Sequence, residues 1–316
     1  MSRWETRQVP FKYQLSDLTL FRATVRLQVR SVMLTDGAAA VATLVAPDDA
    51  LPKGSEGFLI RAARVTQAQP PIGTAGPYLC YVLQQYEHYF IDLRLTFEQY
   101  KNNFSSKTRS TIKRKIKKFS EHCDGQLDWR TYQQPAQMRE FYQHARTVSR
   151  KTYQERLLDA GLPDHEGFVA EMEQLASTDC VRAYVLFDRG RPVSYLYCPV
   201  RDGVLIYEYL GYDPEYLKLS VGIVLQWLAL EQLFAEQRFA FFDFTEGESE
   251  HKRMFSTAVN RCANVVFLRK TLRNRVLVHT HSWMARFSGQ LGASLDRLGL
   301  KAQIRRWLRF AGRTAM

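Results

Sequence analysis

From residue 180 to 212 the apolar positions fall into three runs of strand length, 181–187, 192–200 and 204–212. The turn sequences Asp188-Arg189-Gly190-Arg191 and Arg201-Asp202-Gly203 separate them. The third run breaks at Asp213-Pro214, and Ser220-Val221-Gly222 leads into a segment of helical length, residues 223–236. There Ile223, Val224, Leu225, Trp227, Leu228, Leu230 and Leu233 are apolar over much of the circumference, so the helix must be largely enclosed. Residues 239–244 predict the next strand, 249–258 a short helix and 264–268 a last strand. The order β-β-β-α-β-α-β predicts a mixed sheet with helices packed on it. In such a strand, Ser/Gly turn and helix unit the helix N-terminus lies off the strand end, where an anion is favoured.

Upstream, Met138, Phe141, Tyr142 and Ala145 form one helical stripe and Phe168, Met172 and Leu175 another, with Gly161-Leu162-Pro163-Asp164 between them. The segment Ser149-Arg150-Lys151-Thr152-Tyr153 suits either a pocket border or an ordinary helix surface. Residues 105–119 hold seven basic residues and no acidic one, with Ile112, Ile116 and Phe119 at helical spacing and Ser105 or Ser106 as N-cap. Such a helix is either a solvated amphipathic element or a phosphate-binding face for a cofactor, a lipid headgroup or RNA. Residues 38–46 and 58–65 read as strands, and 77–83 and 87–93 as a strand pair joined through Gln84-Gln85-Tyr86. Residues 1–57 otherwise carry no motif, which leaves the first hundred residues as a sheet-containing region.

Composition narrows the class. An apolar fraction of 46% with 13% aromatics over 316 residues supports a substantial core. The longest uncharged run, residues 65–86, contains Pro70, Pro71, Pro77, Gly73 and Gly76 and cannot be a spanning helix. No apolar stretch follows the charges of residues 1–5, so no export signal is expected. Cys80, Cys123, Cys180, Cys198 and Cys262 are scattered singly, which reads as reduced thiols of a cytoplasmic protein, with no metal implied. The net charge of +12 is concentrated after residue 268, where eleven Lys/Arg face one acid, Asp296. Within that tail Met284, Phe287, Leu291, Leu295 and Leu298 recur at helical spacing, as do Leu300, Ile304, Trp307, Leu308 and Ala311, with Gly299 as the break. Arg297, Lys301, Arg305, Arg306 and Arg309 supply the polar face. Basic helices of this kind suit the inner face of the cytoplasmic membrane, although packing on the protein's own body gives the same stripe.

Several segments then carry a resemblance. Leu210-Gly211-Tyr212-Asp213-Pro214, Leu219-Ser220-Val221-Gly222 and Phe242-Asp243-Phe244-Thr245-Glu246-Gly247 with Lys252 resemble the CelD/BcsL-like branch of the GNAT acyltransferases, which is related to the FemAB group. The run Lys107-Thr108-Arg109 is similar to the Arg-containing helix start that precedes this domain in that branch. The resemblance spans residues 95–270 and implies an α+β fold, a GNAT-like mixed sheet flanked by helices. The chain is expected to divide into 1–100, a sheet-containing half for which a degenerate GNAT-like unit is one reading; 101–271, the acyltransferase domain that the resemblance implies; and 272–316, the basic amphipathic helices. An ordinary member has a glycine-rich loop for the coenzyme A pyrophosphate, of which Ser220-Val221-Gly222 remains here. Relatives in the FemAB group use aminoacyl-tRNA instead of an acyl thioester.

Acyl transfer to an amine needs an oxyanion stabiliser, a base and a site that holds both reactants. Amides at the end of the 204–212 strand suit the thioester carbonyl, and those of Ser220, Val221, Gly222 and Ile223 suit phosphate. Asp243, Glu208, His251 and Lys252 are the candidate catalytic residues, and Arg109, Tyr153, Tyr209 and Asp213 the candidate substrate contacts. Each has a plain alternative: a turn cap for Asp243, an arginine partner for Glu208, a phosphate ligand or a surface residue for Lys252, close helix packing for Gly222. The expected activity is amide formation on an amino-lipid, such as a sphingoid base, or on an envelope polysaccharide precursor. Acyl-CoA is the expected donor, at the membrane's inner face, with an aminoacyl-tRNA donor or a noncatalytic basic scaffold of a polysaccharide synthase as the alternatives.

Overall fold

In the computed structural model, which describes residues 4–15, 18–152 and 161–297, contacts divide the chain into two units. One comprises Met1–Val32, Ala38–Gln85 and Arg261–Met316, the other Met33–Gly37 and Tyr86–Asn260.

Alternation along strands builds the first unit. Strands β1 (Glu5–Leu15) and β2 (Leu18–Ser31) form an antiparallel hairpin. β2 runs parallel to β3 (Gly57–Arg64), which pairs antiparallel with β12 (Ala258–Arg269). β4 (Ile72–Ala75) folds back on the start of β5 (Tyr78–Asp92). Leu59 joins Phe11, Tyr13, Leu27 and Val266 in one apolar layer, while its neighbours Phe58 and Ile60 join Val265 and Phe267 in another. Helix α7 (Leu272–Arg297) covers the first layer with Val278, and the Tyr81 hydroxyl meets Nδ1 of its His281 at 2.7 Å.

The hairpin was not expected, because β1 alternates clearly only from Val9 to Gln14 and carries Pro10, which sheet edges tolerate. β5 is one fifteen-residue strand rather than the expected pair. Gln84-Gln85 has no turn chemistry, and its polarity reflects exposure. Residues 38–46, expected as a strand, make a single bridge from Val41 to Val65, since small alanines bury too little to need a sheet face.

The second unit holds the later half of β5, then α1 (Phe97–Asn102), α2 (Ser106–His122), β6 (Asp128–Tyr132), α3 (Pro135–Ser149), α4 (Glu166–Ser177), β7 (Val181–Asp188) and β8 (Arg191–Arg201). β9 (Val204–Ile206), β10 (Tyr209–Tyr212), α5 (Val221–Glu236), β11 (Phe241–Asp243) and α6 (Glu250–Phe255) follow. Its sheet runs β5-β11-β9-β8-β7-β6, with β10 paired to β8 alone. Along β7, Val181, Ala183, Val185 and Phe187 pack with Met138, Phe141, Phe168 and Met172 of α3 and α4. Tyr184 and Leu186 pack on the other side with Ile112 and Phe119 of α2 and Leu225, Leu230 and Leu233 of α5. This is the predicted α+β architecture, a mixed sheet with helices on both faces. β9, α5 and β11 form the parallel crossover, with Val204 opposite Phe241 and Ile206 opposite Asp243.

The expected single strand over 204–212 is two. Leu205 pairs with Val200 but Tyr209 with Tyr197, so the register gains one residue at Tyr207-Glu208, a β-bulge. β9 stays bonded to β11, ending with the Tyr207 amide on the Asp243 carbonyl at 2.8 Å, while β10 has no strand partner on that side among the described residues. β10 is pinned by Gly211, where an added Cβ would lie 2.3 Å from Cε1 of Tyr195. Gly211→Ala is expected to lower stability by about 1–3 kcal/mol through overpacking, read as a lower denaturation midpoint. Adding Tyr195→Leu should recover part of that loss.

Candidate active site

The unpaired edge of β10 defines the site. The Asp213 amide donates to the Val193 carbonyl at 2.9 Å, so by antiparallel alternation the Gly211 amide faces β8 and those of Leu210 and Tyr212 face the open edge. Off the strand end, Pro214–Leu219 form a 3-10 turn that finishes at Ser220 in the left-handed conformation (φ 54°), and α5 starts there. Ser220 reverses the chain sharply enough to bring the α5 N-terminus beside β10. Its carbonyl accepts from the Ile223 and Val224 amides, and its own amide donates to Leu217. That leaves the Val221 and Gly222 amides, first-turn donors with no acceptor inside the helix.

These groups border one cavity of about 450 Å³, lined by Tyr207, Leu210, Tyr212, Leu217, residues 220–223, Ser249, His251 and Lys252. The four cofactor-binding candidates Ser220, Val221, Gly222 and Ile223 therefore come together with His251 and Lys252. A Cβ on Gly222 would meet Leu210 at 3.4 Å and Tyr212 at 3.5 Å, ordinary contact distances, so the glycine keeps this wall open but is not forced by packing.

His251 and Lys252 lie on α6, whose N-cap Ser249 accepts from the Lys252 amide. Nε2 of His251 is hydrogen-bonded to Oε1 of Gln226, a fully buried residue in the middle of α5. Because an amide oxygen only accepts, Nε2 carries the proton and Nδ1 keeps the lone pair. The other end of that amide, Gln226 Nε2, is buried without an acceptor. Burial, then the charges of Lys115 and Lys252, push the His251 pKa from 6.5 down to about 4, so the ring is neutral at physiological pH. Lys115 belongs to α2, so the basic helix reaches the site's electrostatics through that residue. Burial lowers the pKa of Lys252, opposed by Asp243 and Glu246, and its Nζ donates to the Glu246 carbonyl at 2.6 Å.

Asp243 and Glu208 stand beside the cavity rather than in its lining. Asp243, at the end of β11, accepts from the Thr245 amide at 2.6 Å, the turn cap named as its plain alternative, and pairs with Nε2 of His88 at 2.5 Å. Both residues are buried. His88 went unnoticed in the sequence because it sits singly within β5, 155 positions from its partner. Glu208 occupies the bulge. Burial raises its pKa, with Arg201 opposing and Glu171 of α4 reinforcing.

The substrate-contact candidates disperse. Arg109 binds Oδ1 of Asn102 at 3.2 Å, tying the start of α2 to α1. Tyr209 packs on Phe168 and Tyr197, on the opposite sheet face from the cavity, since strand alternation puts Leu210 and Tyr212 on the cavity side. Asp213 is 1% exposed and bonds Nζ of Lys151 at 2.8 Å and Arg191 at 2.7 Å. Burial pushes its carboxyl up, but the bonds from Lys151, the Glu215 amide and Arg191 outweigh that and hold it below the usual range. It is an ion-pair hub that fixes the turn into α5. Tyr153 lies outside the described residues. Among the described residues no group of three or more His, Cys, Asp or Glu is arranged to hold a metal.

A wedge-shaped opening beside a helix start, within a crossover, is accompanied by a match to a known domain. Residues 106–253 match the family model of the acetyltransferase (GNAT) domain. The GNAT span runs from α2 into α6 and contains the bulge, the α5 N-terminus and both cavity nitrogens. Comparison with curated proteins found no match. Among solved structures, L-PGS from Bacillus licheniformis is 16% identical with a TM-score of 0.45, over 74% of this chain and 73% of that one. FemX is 9% identical with a TM-score of 0.48, over 87% of this chain and 90% of that one.

The neutral His251 yields a prediction. The folded state keeps the ring unprotonated where the unfolded chain binds a proton, so its contribution to stability is complete above pH 6.5. That contribution falls as pH drops from 6.5 towards 4. The His251 resonances should show no titration until near pH 4, and His251→Gln should flatten the fall in denaturation midpoint between pH 6.5 and 4. A ring titrating near 6.5 would contradict this environment.

Proposed function

We propose that this chain is an N-acyltransferase of the CelD/BcsL-like branch, moving an acyl group from coenzyme A to an amine. The observation that carries the reading is the bulge at Tyr207-Glu208, which opens the edge of β10 beside the α5 N-terminus over one cavity. The segments of the family resemblance support the branch: Leu210, Tyr212, Ser220 and Gly222 line that cavity, and Glu246 holds Lys252, which also lines it.

In this reading the Val221 and Gly222 amides and Lys252 receive donor phosphate. The Leu210 amide, at the open edge, faces the thioester oxygen as negative charge develops there. The amine nitrogen attacks the carbonyl carbon, the carbon–nitrogen bond forms, the carbon–sulfur bond breaks, and coenzyme A leaves as its thiolate, which solvent protonates. Glu208 takes the amine's proton, since burial makes it a stronger base than an exposed glutamate. His251, neutral with its lone pair on Nδ1, serves as a hydrogen-bond acceptor rather than a cation. Asp243 and His88 hold the turn that presents Lys252. The acceptor is an amino-lipid or an amino-sugar precursor of an envelope polysaccharide, met at the cytoplasmic face of the membrane.

A second reading, transfer from aminoacyl-tRNA, is favoured by one observation. The turn at Ser220 offers only two uncommitted amides, a small cradle for a pyrophosphate, while the basic face of α2 extends past it to Lys118, which bonds the Lys218 carbonyl at 3.1 Å.

Native mass spectrometry of purified protein, with melting against acetyl, palmitoyl and free coenzyme A, is expected to find a bound thioester or a chain-length-dependent rise in Tm. Copurifying tRNA with no coenzyme A binding would move the donor to aminoacyl-tRNA, and neither ligand would leave a noncatalytic scaffold. Glu208→Gln should reduce kcat by about 10²- to 10⁴-fold while leaving the coenzyme A melting shift intact. The acid limb of the wild-type rate profile should lie above the ordinary glutamate range, because the folded pKa is raised.

A further inference from the structure

The outer face of α7 is a surface feature that the acyl-transfer reading leaves unused. This helix packs Val278, Leu277 and Met284 against the first unit's sheet. Yet Leu272 is 80% exposed, Val276 55%, Trp283 63% and Phe287 43%. At 100° per residue these four and the exposed His279 fall within an arc of roughly 80°. The predicted stripe of Met284 with Phe287 is thereby split: Met284 turns inward and Phe287 outward. The Trp283 and Phe287 rings stack face to face at 5.5 Å, an aromatic pair presented to solvent. Phe21 of the β1–β2 hairpin, 54% exposed, stacks at 4.0 Å on Tyr13. The Tyr13 hydroxyl is bonded to the Leu277 carbonyl and to Oγ1 of Thr280, so Phe21 extends the same patch.

Charge says what covers it. Residues 269–290 carry Arg269, Lys270, Arg273, Arg275 and Arg286 and no Asp or Glu. Arg275 and Arg286 flank the apolar arc on one side, both exposed. Arg273 lies on the other and is engaged by Glu56 at 2.9 Å. Phosphate alone gains nothing from Leu272, Val276 and Phe287, so a nucleic acid leaves the stripe unexplained. A layer that is apolar inside and anionic at its rim satisfies both parts at once. No described helix is long and apolar enough to cross a membrane, and this surface needs none to lie on one.

We propose that the exposed face of α7, with Phe21, is an interfacial docking surface for an anionic lipid bilayer. Trp283, Phe287, Val276 and Leu272 enter the headgroup boundary, and Arg275 and Arg286 meet lipid phosphate. This deepens the membrane-face reading of the acceptor above, but it stands on the first unit alone and does not require acyl transfer.

The test is co-flotation of the full chain with vesicles of phosphatidylcholine, with and without phosphatidylglycerol. The wild type is expected to float with the anionic vesicles. Trp283→Ala with Phe287→Ala should weaken partitioning about tenfold or more, and Arg275→Gln or Arg286→Gln about fivefold each. All of these positions are exposed, so Tm and the coenzyme A melting shift should stay unchanged. That separates loss of docking from loss of fold or of donor binding. Three results would overturn the proposal: no flotation, flotation undiminished in the double aromatic variant, or a stripe-dependent dimer that does not bind vesicles.

Discussion

One extra residue in a strand sets the geometry on which the second unit's chemistry depends. Without the bulge at Tyr207-Glu208, β9 and β10 would be one strand, and its amides would be spent on β11 as far as that strand reached. With it, pairing to β11 stops at the Tyr207 amide and the Leu210 and Tyr212 amides are left facing an opening. Unpaired donors inside a sheet are unfavourable, so the wedge must be held open from outside. The Ser194 hydroxyl donates to the Gly211 carbonyl at 2.9 Å, Gly211 lies against the Tyr195 ring, and Asp213, gripped by Lys151 and Arg191, ends the strand and starts the turn. These contacts fix β10 to β8 and explain why a buried carboxylate stands so close to the site without lining it.

The same constraint sorts what the amino-acid sequence could and could not reveal. The crossover was legible because its signals are local: apolar runs of strand length, Asp213-Pro214 as a stop, and a helix too apolar to be exposed. The cavity's Ser220 to Ile223 wall and the two nitrogens of α6 followed from that order. The bulge was not legible, since a lone Glu208 in an otherwise apolar and aromatic run reads as one polar strand position and the extra residue shows only against the register of β8. His88 was missed for the same reason, as a partner across the sheet leaves no mark at the position itself. Tyr209, a candidate substrate contact, packs on Phe168 and Tyr197 because the bulge resets the alternation along this stretch. The β1–β2 hairpin was obscured by an edge strand that carries a proline and exposes its polar residues.

The two faces of the wedge also differ in charge. On the cavity side Lys115 and Lys252 suppress protonation of His251, and the α5 N-terminus adds its partial positive charge. An ammonium group is unfavourable there and a phosphate is favoured. On the α3–α4 side burial raises the pKa of Tyr209 and Tyr197, and the negative charges of Glu208 and Glu171 add to it. The two faces of the sheet thus differ in electrostatic character, and the opening lies beside β10. Closing the opening, by restoring pairing of β10 with a longer β11, would spend the Leu210 and Tyr212 amides without altering any of the charged groups.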